Sequence, residues 1–304
     1  MKHYTAVNAS DCGWLSILDE QAHYPALQGE QSCDWLIIGG GYTGLSAAHR
    51  LAELCPEDKV ILVDAEGIGE GASARNSGFI VDSTLNDGQA SHSAAEAYLK
   101  KYQLNLAGMA RLKSQIKQFD IDCDWDESGK YHSAHTPKNF KTLEAFDRFL
   151  DQLNIQHSLL DQTALNKRLG INHYQMSVHT QGGVLINPAG LSQGLAKALA
   201  QYENIALFSN SPVLNMTAGK PNTVQCTQGS IKAKRVIVAV NALMPRLGYK
   251  PQNVFPLTLS GGLTRPLTDS EYAALGRPEP WGVLSAVPMG ATVRLTNDKR
   301  ILLR

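Results

Sequence analysis

The sequence predicts an α/β protein: a parallel sheet with its crossover helix, interleaved with a second, β-rich α+β part. Two patterns carry this. Residues 34–64 alternate strand, helix and strand, and a second strand-rich stretch returns at 205–240. Between them, residues 93–153 read as two helices joined by a loosely alternating segment. A chain of 304 residues is long enough for about two domains.

The elements follow in order. Residues 1–33 read as a polar, irregular arm with a turn at Tyr24-Pro25. Asp34-Trp35-Leu36-Ile37-Ile38 is a short apolar run that ends in glycines, as a buried parallel strand does. Leu45, Ala48, Leu51 and Ala52 recur at helical spacing within residues 43–54. Cys55 to Asp58 breaks the helix, and Lys59 to Asp64 is a second buried strand closed by an acid. Residues 65–92, rich in Gly, Ser, Ala and Asn, read as a long functional loop. Helices are expected over 93–119 and 140–153, with strand and turn over 120–133. A short strand at Val184-Leu185-Ile186 precedes a helix opened by Asn187-Pro188 and running to about residue 202. Strands are expected at 205–208, 213–216, 223–227 and 235–240, and the tail from 254 is strand-like and loop-rich.

Composition excludes several classes. Lys+Arg and Asp+Glu are both 28, and no basic cluster stands out, so nucleic acid is not an expected partner. The hydrophobic share of 43% supports a core, and 18% charged residues is too few for disorder. The longest aliphatic run is Val236 to Val240, whereas a membrane helix needs about 20 apolar residues, so no span is expected. The N-terminus lacks an apolar signal region. Five scattered cysteines without a Cys-x-x-Cys fit reduced thiols, and the expected location is cytoplasmic.

Gly39-Gly40-Gly41-Tyr42-Thr43-Gly44 is a G-x-G-x-x-G between strand and helix. Gly39 serves the tight turn, Gly41 the approach of a pyrophosphate, and Gly44 the packing of helix on strand, while Tyr42 and Thr43 open the helix. The hexapeptide alone is weak evidence. Asp64, 20 residues beyond Gly44 at the next strand's end, stands where an acid accepts both ribose hydroxyls. The unit is therefore read as a Rossmann-type dinucleotide site. The acid disfavours a 2′-phosphate, but spacing alone leaves NAD and FAD both open.

The next loop, Gly69 to Phe79, narrows the choice. Ala72, Ser73, Ser77 and Gly78 are small, Ser73 and Asn76 can donate hydrogen bonds, and Arg75 can add positive potential. This Gly-Ala-Ser-x-Arg-Asn-x-Gly loop resembles that of the FAD-dependent amine oxidoreductases of the D-amino-acid-oxidase superfamily, where it passes beneath the flavin. Together with Tyr24 to Gly29, it is most similar to the γ-glutamylputrescine oxidoreductase branch. Further likenesses are Asn187 to Leu191, Val213 at the adenine-side strand, Ala239 and Asn241 in an Ala-x-Asn strand end, and the segments 264–267 and 294–298.

The resemblance implies FAD as cofactor, held by Gly39, Gly41, Tyr42, Thr43, Gly44, Asp64, Ala72, Ser73, Asn76, Ser77, Gly78, Val213, Ala239 and Asn241. It implies an FAD domain of residues 1–90 and 184–245 and a substrate domain of 91–183 and 246–304. The implied reaction is hydride transfer from an amine's C–H to flavin, with oxygen as acceptor and peroxide as product. The substrate is then a small-molecule amine, with γ-glutamyl amines among those to consider. Because the flavin carries the chemistry, no protein catalytic residue is assigned. An amino-acid or sarcosine-type oxidase or dehydrogenase is the alternative within the class; it needs a carboxylate anchor, for which Arg265 and Arg294 are available. A flavin-binding protein without turnover is the alternative outside it. In the resembled family the chain continues, returns to the FAD domain and brings a Gly-rich segment against the flavin ring. No such segment follows Gly290, so the 304-residue form is expected to hold FAD weakly and turn over poorly.

Other signals are set aside. His132 and His135, three apart in a strand, point to opposite faces and cannot chelate one ion. Ser114 to Lys117 matches a serine–lysine motif but has no partner motifs. Asp122, Asp124, Asp126 and Glu127 read as a solvated acidic turn beside a glycine, with attraction of a cationic amine as the functional alternative. No metal site is expected.

Overall fold

The computed structural model describes residues 11–85, 94–248, 253, 257 and 259–304. Its chain order begins with strand β1 (Gly29–Ile38), helix α1 (Tyr42–Leu54), β2 (Val60–Val63), β3 (Phe79–Ile80), α2 (Ala95–Gln118) and β4 (Lys130–Ala134). It continues with α3 (Phe140–Gln152), β5 (His157–Asp161), α4 (Gln162–Leu169), β6 (Met176–Thr180), β7 (Val184–Leu185) and α5 (Pro188–Leu199). Then come β8 (Ile205–Phe208), β9 (Val213–Thr217), β10 (Asn222–Cys226) and β11 (Gly229–Val238). The last elements are β12 (Gly262–Leu263), α6 (Asp269–Ala274), β13 (Trp281–Ser285), β14 (Thr292–Leu295) and β15 (Ile301–Leu303).

The chain forms two compact units, the first of residues 1–76, 116–123 and 188–258, the second of 77–115, 124–187 and 259–304. These boundaries differ in position from the expected 90/91, 183/184 and 245/246. Residues 116–123, read as part of the substrate domain, group with the first unit.

The first unit holds a six-stranded sheet in the order β8-β2-β1-β11-β10-β9. The four strands from β8 to β11 are parallel, and β10 and β9 turn back antiparallel. Leu36 and Ile38 on one face of β1 join Ile61 and Val63 of β2 and Ile231 and Ala233 of β11 in a buried core. Ile37, on the other face, meets α1 at Gly44. Strand β1 starts five residues earlier than expected: Gly29 to Cys33, part of the supposed arm, pair in parallel with Gly229 to Ala233. The stretch Glu30-Gln31-Ser32 is polar and largely exposed, so its pairing leaves no apolar signature.

The second unit is built on a seven-stranded sheet, β12-β15-β14-β13-β4-β6-β5, and a two-stranded one, β3-β7. All pairs are antiparallel except β13 with β4. Leu143, Phe146, Phe149 and Leu150 form the buried face of α3, as their spacing demands. The tail holds a helix that periodicity does not show. Helix α6 rests on a capping box, in which Thr268 accepts from the Glu271 N–H and the Glu271 carboxylate accepts from the Thr268 N–H.

A charge pair is buried in this unit. Lys130 on β4, wholly inaccessible, donates to Asp82, to Ser83 Oγ at 3.3 Å and to Thr180 Oγ1 at 2.7 Å. Glycines make the room: a Cβ at residue 182 would lie 2.0 Å from Asp82, and one at 183 would lie 3.0 Å from the Lys130 chain. Removing the ammonium alone leaves a buried carboxylate without its cation. Lys130→Met is therefore expected to lower unfolding free energy by about 3–5 kcal/mol, and adding Asp82→Leu to recover most of it. Urea unfolding checks this; an additive double variant contradicts it.

His132, next on the same face of β4, is fully buried. Burial, with the Lys130 charge adding, pushes its pKa down to about 3 from 6.5. The unfolded chain thus binds a proton near pH 6.5 that the folded chain refuses until about pH 3. Stability should fall as pH drops through that window, and His132→Phe should flatten the fall. Thermal midpoints measured from pH 3 to 7 are the check, and parallel curves for both proteins would refute it.

Candidate functional site: the glycine turn and its loop

The site in the first unit is built from the turn between β1 and α1. Gly39 has φ +108°, and a Cβ there would lie 2.5 Å from the Ala239 carbonyl oxygen. At Gly44 a Cβ would lie 1.8 Å from the Gly39 carbonyl oxygen, so the helix reaches the strand only without it. Gly41 is the N-cap and supplies no side chain, and the first turn of α1 carries no acid. Tyr42 and the exposed Thr43 follow in that turn. The result is a helix N-terminus with backbone donors and the positive end of the peptide dipoles, and no acidic side chain within its own first turn. That is the chemistry a diphosphate requires.

Asp64 stands at the end of β2. Its Oδ2 accepts from Gly40 N–H at 2.6 Å and its Oδ1 from Glu66 N–H at 2.9 Å. Burial pushes its pKa up and the Glu70 charge adds to that, against the Glu66 and Gly40 hydrogen bonds. A carboxylate held above its ordinary range, with one N–H on each oxygen, retains lone pairs for two more donors. Ribose hydroxyls supply such donors, so the residues fit an adenosine diphosphate moiety.

The following loop is tied to this turn. Ser73 Oγ accepts from the Tyr42 N–H at 2.9 Å and lies 2.8 Å from where a Gly41 Cβ would stand. Gly41 thus makes room for Ser73 as well as for a ligand. Tyr42 Oη donates to the Pro188 carbonyl at 2.9 Å, and burial raises the phenol's pKa. The Asn76 amide donates to the carbonyls of Ser73 at 2.7 Å and exposed Ala72 at 3.3 Å. It braces the loop. Arg75 Nε donates to the Glu70 carbonyl at 3.1 Å.

Of the outlying residues, Ala239 donates its N–H to the Ile38 carbonyl at 2.8 Å and so sits at the turn. Asn241, with φ +49°, is exposed at the start of a 3-10 turn, Asn241–Leu247. Val213 opens β9 at the sheet's edge, two residues after Ser211, whose N–H donates to the Asp64 carbonyl at 2.7 Å.

Ser77 and Gly78 belong to the second unit. Arg294 of β14, itself buried, donates through one terminal nitrogen to the carbonyls of Ser77 at 2.9 Å, Gly78 at 3.2 Å and Ile186 at 2.7 Å. Burial brings its pKa down to about 10, with Asp124, Asp126 and Asp298 opposing. Arg265 makes a two-pronged exposed pair with Glu271, at 2.7 and 2.9 Å. Both arginines available as carboxylate anchors are therefore engaged by the protein.

Of the acidic group at 122–127, Asp124 and Asp126 both act on the Arg294 charge. Asp122 lies in the first unit, Asp126 pairs its backbone with Leu185, and Glu127 binds Lys113 and Trp125 Nε1. His132 is core and His135 stacks on His173, so they share no ion. Asp147, Asp151 and His157 do bring one ligand atom each within 4.8 Å, where His157 Nε2 pairs with Asp147 at 3.1 Å.

The family pattern of the DAO proteins, FAD dependent oxidoreductases, matches residues 34–304. The chain belongs to the DAO family. FAD is accordingly its cofactor. The chain is 30% identical over 236 residues to γ-glutamylputrescine oxidoreductase of Escherichia coli, a match spanning 74% of this chain and 53% of that protein. It is 25% identical to the probable oxidoreductase OrdL of Haemophilus influenzae over 83% of this chain and 57% of the relative. The chain thus spans about half the length of the curated relatives it matches. In fold it resembles glycine oxidase from Geobacillus kaustophilus, with a TM-score of 0.70 at 19% identity over 90% of this chain and 70% of that one. L-Amino acid deaminase from Proteus myxofaciens gives 0.71 at 15% identity over 93% and 61%. Among the described residues no helix is long and apolar enough to cross a membrane.

Asp64→Asn keeps one acceptor but loses the charge, and is expected to weaken FAD binding by about 1.5–3 kcal/mol. Gly41→Val should abolish FAD uptake, whereas Gly108→Ala, in open space on α2, should not. Fluorescence titration of FAD reads both; equal affinities across these variants would remove the turn from the cofactor site.

Proposed function

We propose that this chain is an FAD-dependent oxidoreductase that oxidises the C–N bond of an amine. The carrying observation is the α1 N-terminus, whose N-cap is Gly41, with Asp64 beside it, in a chain of the DAO family. In this reading the backbone of Gly39 to Gly44 binds the diphosphate, Asp64 holds the ribose, and the loop from Ala72 is braced by Ser73 and Asn76 against that turn. Val213, Ala239 and Asn241 complete the first unit's contacts, while Ser77 and Gly78 are fixed through their carbonyls by Arg294. The second unit takes the substrate.

Bound there, FAD would supply the two-electron acceptor for the substrate's C–H hydride, with oxygen as the onward acceptor. The protein's share is binding, orientation and exclusion of water. The oxidised amine is an imine, which water hydrolyses. An amine suits the second unit better than an amino acid because Arg265 and Arg294 are already engaged, by Glu271 and by backbone carbonyls. The relative from Escherichia coli makes γ-glutamyl amines the first substrates to test.

Peroxide formation by flavin-saturated protein is expected with alkyl or γ-glutamyl amines, and weak or absent with amino acids. Anaerobic bleaching of the flavin by the same amines separates substrate oxidation from reoxidation. Turnover of 2-hydroxy acids without amines would overturn the substrate class. Stable FAD binding with no bleaching by any substrate would favour a flavin-binding protein without turnover.

A further inference from the structure

His179 on β6 lines a cleft of about 560 Å3 within the second unit, and its ring is fixed from three directions. It stacks on Tyr131 of the neighbouring β4, with centroids 4.4 Å apart and planes 26° from parallel. Its Nε2 lies 3.1 Å from the Ser128 carbonyl oxygen. A carbonyl only accepts, so Nε2 carries the hydrogen, and in the neutral ring Nδ1 then keeps a lone pair. The third constraint is Gly129. With φ +78°, it is the residue whose Cβ would stand 2.5 Å from Nε2 and 2.6 Å from the Thr180 carbonyl oxygen. Burial lowers the ring's pKa, and the Arg168 and Lys130 charges lower it further against the Ser128 hydrogen bond. His179 is therefore a neutral imidazole of set tautomer, and among the described residues Nδ1 has no hydrogen-bond partner.

The surroundings select the ligand. Leu106, Met109 and Val184 offer an apolar wall, and Trp125 an aromatic one. Glu127, also on the cleft, is paired with Lys113, so a ligand's carboxylate finds that cation already taken. The Ser128 hydroxyl, on the residue that fixes the ring, is buried without a partner.

We propose that this cleft binds an alkyl amine, with His179 Nδ1 accepting a hydrogen bond from its nitrogen. The carbon chain then lies along Leu106, Met109 and Trp125. The choice of an amine rests on the function proposed above; the set tautomer and the cleft do not. His179 is a binding residue here, and no proton transfer is assigned to it.

The test is NMR of protein labelled with 15N at histidine, titrated with n-butylamine and, separately, butyrate. One imidazole, absent in His179→Phe, should show the Nε2–H tautomer, and its Nδ1 resonance should move saturably with butylamine but not with butyrate. Calorimetry should show butylamine binding about tenfold weaker in His179→Phe, the scale of one hydrogen bond, and unchanged in His135→Phe. A protonated Nδ1 in the free protein, or equal affinity in His179→Phe, overturns the proposal. Where His179→Phe fails to fold, saturable movement of a single Nε2–H imidazole in the wild type supports it, and no movement refutes it. Repeating the titration with FAD present separates the two ideas. Flavin reduction with His179 unmoved sinks this site and leaves the redox reading, whereas His179 movement without flavin reduction does the reverse.

Discussion

The first unit depends on a contact that no side chain survives. A Cβ on Gly44 would stand 1.8 Å from the Gly39 carbonyl oxygen, and one on Gly39 would meet Ala239 at 2.5 Å. With both absent, α1 leaves β1 at once and its first turn ends beside the sheet, between β1, β11 and the end of β2. Asp64 then locks that arrangement from the neighbouring strand by accepting the Gly40 N–H. The same carboxylate is the one read as the ribose partner, so turn geometry and ligand chemistry converge on one side chain. A substitution at Asp64 accordingly touches the shape of the phosphate cradle as well as the ribose contact, which is why an isosteric amide separates the two better than alanine does.

The second unit uses buried cations as staples. Arg294 serves three carbonyls from one nitrogen, and Lys130 serves a carboxylate and two hydroxyls. Burying such charges costs several kcal/mol each unless every donor is met. Apart from Thr180 of β6, the acceptors lie in segments with little regular structure: Ser77 and Gly78 before β3, Asp82 and Ser83 after it, and Ile186 after β7. These stretches have too few ladder bonds of their own to be held by the sheet, and the charged side chains supply the missing constraints. The long loop read from composition is thus tied down within its described part by Ser73 on one side and by Arg294 and Lys130 on the other.

How much of this was legible in the residues follows from what each element depends on. The βαβ unit, α3 and β11 show themselves because burial on one face writes a period into the sequence. Strand β1 before Asp34 does not, since Glu30, Gln31 and Ser32 gain their pairing from β11 and not from burial. Helix α6 is too short to show a period, and only the Thr268–Glu271 spacing announces it. The stretch over β5, α4 and β6 carries too few buried positions per element to separate strand from helix. At the site, Gly39, Gly41, Gly44 and Asp64 were readable because fixed spacing encodes them. That Arg294 is held by the carbonyls of Ser77, Gly78 and Ile186 was not, because those partners are distant in sequence.

That last distinction bears on specificity. An arginine in a substrate-side strand invites assignment as a carboxylate anchor, and the residue type alone supports it. Its hydrogen-bond capacity decides the matter: Arg294 sits among carbonyl oxygens in a site that burial has already made costly for its charge. Releasing it toward a ligand would take the donor from the Ser77 and Ile186 carbonyls, while Gly78 would keep the Ile186 N–H. Lys113 is similarly taken by Glu127, and Arg265 by Glu271. Among these three, each positive charge has a protein partner, whereas the acceptor at His179 has none. Around these groups the unit offers a lone pair to a donor before it offers a cation to an anion, an asymmetry consistent with the amine proposed above.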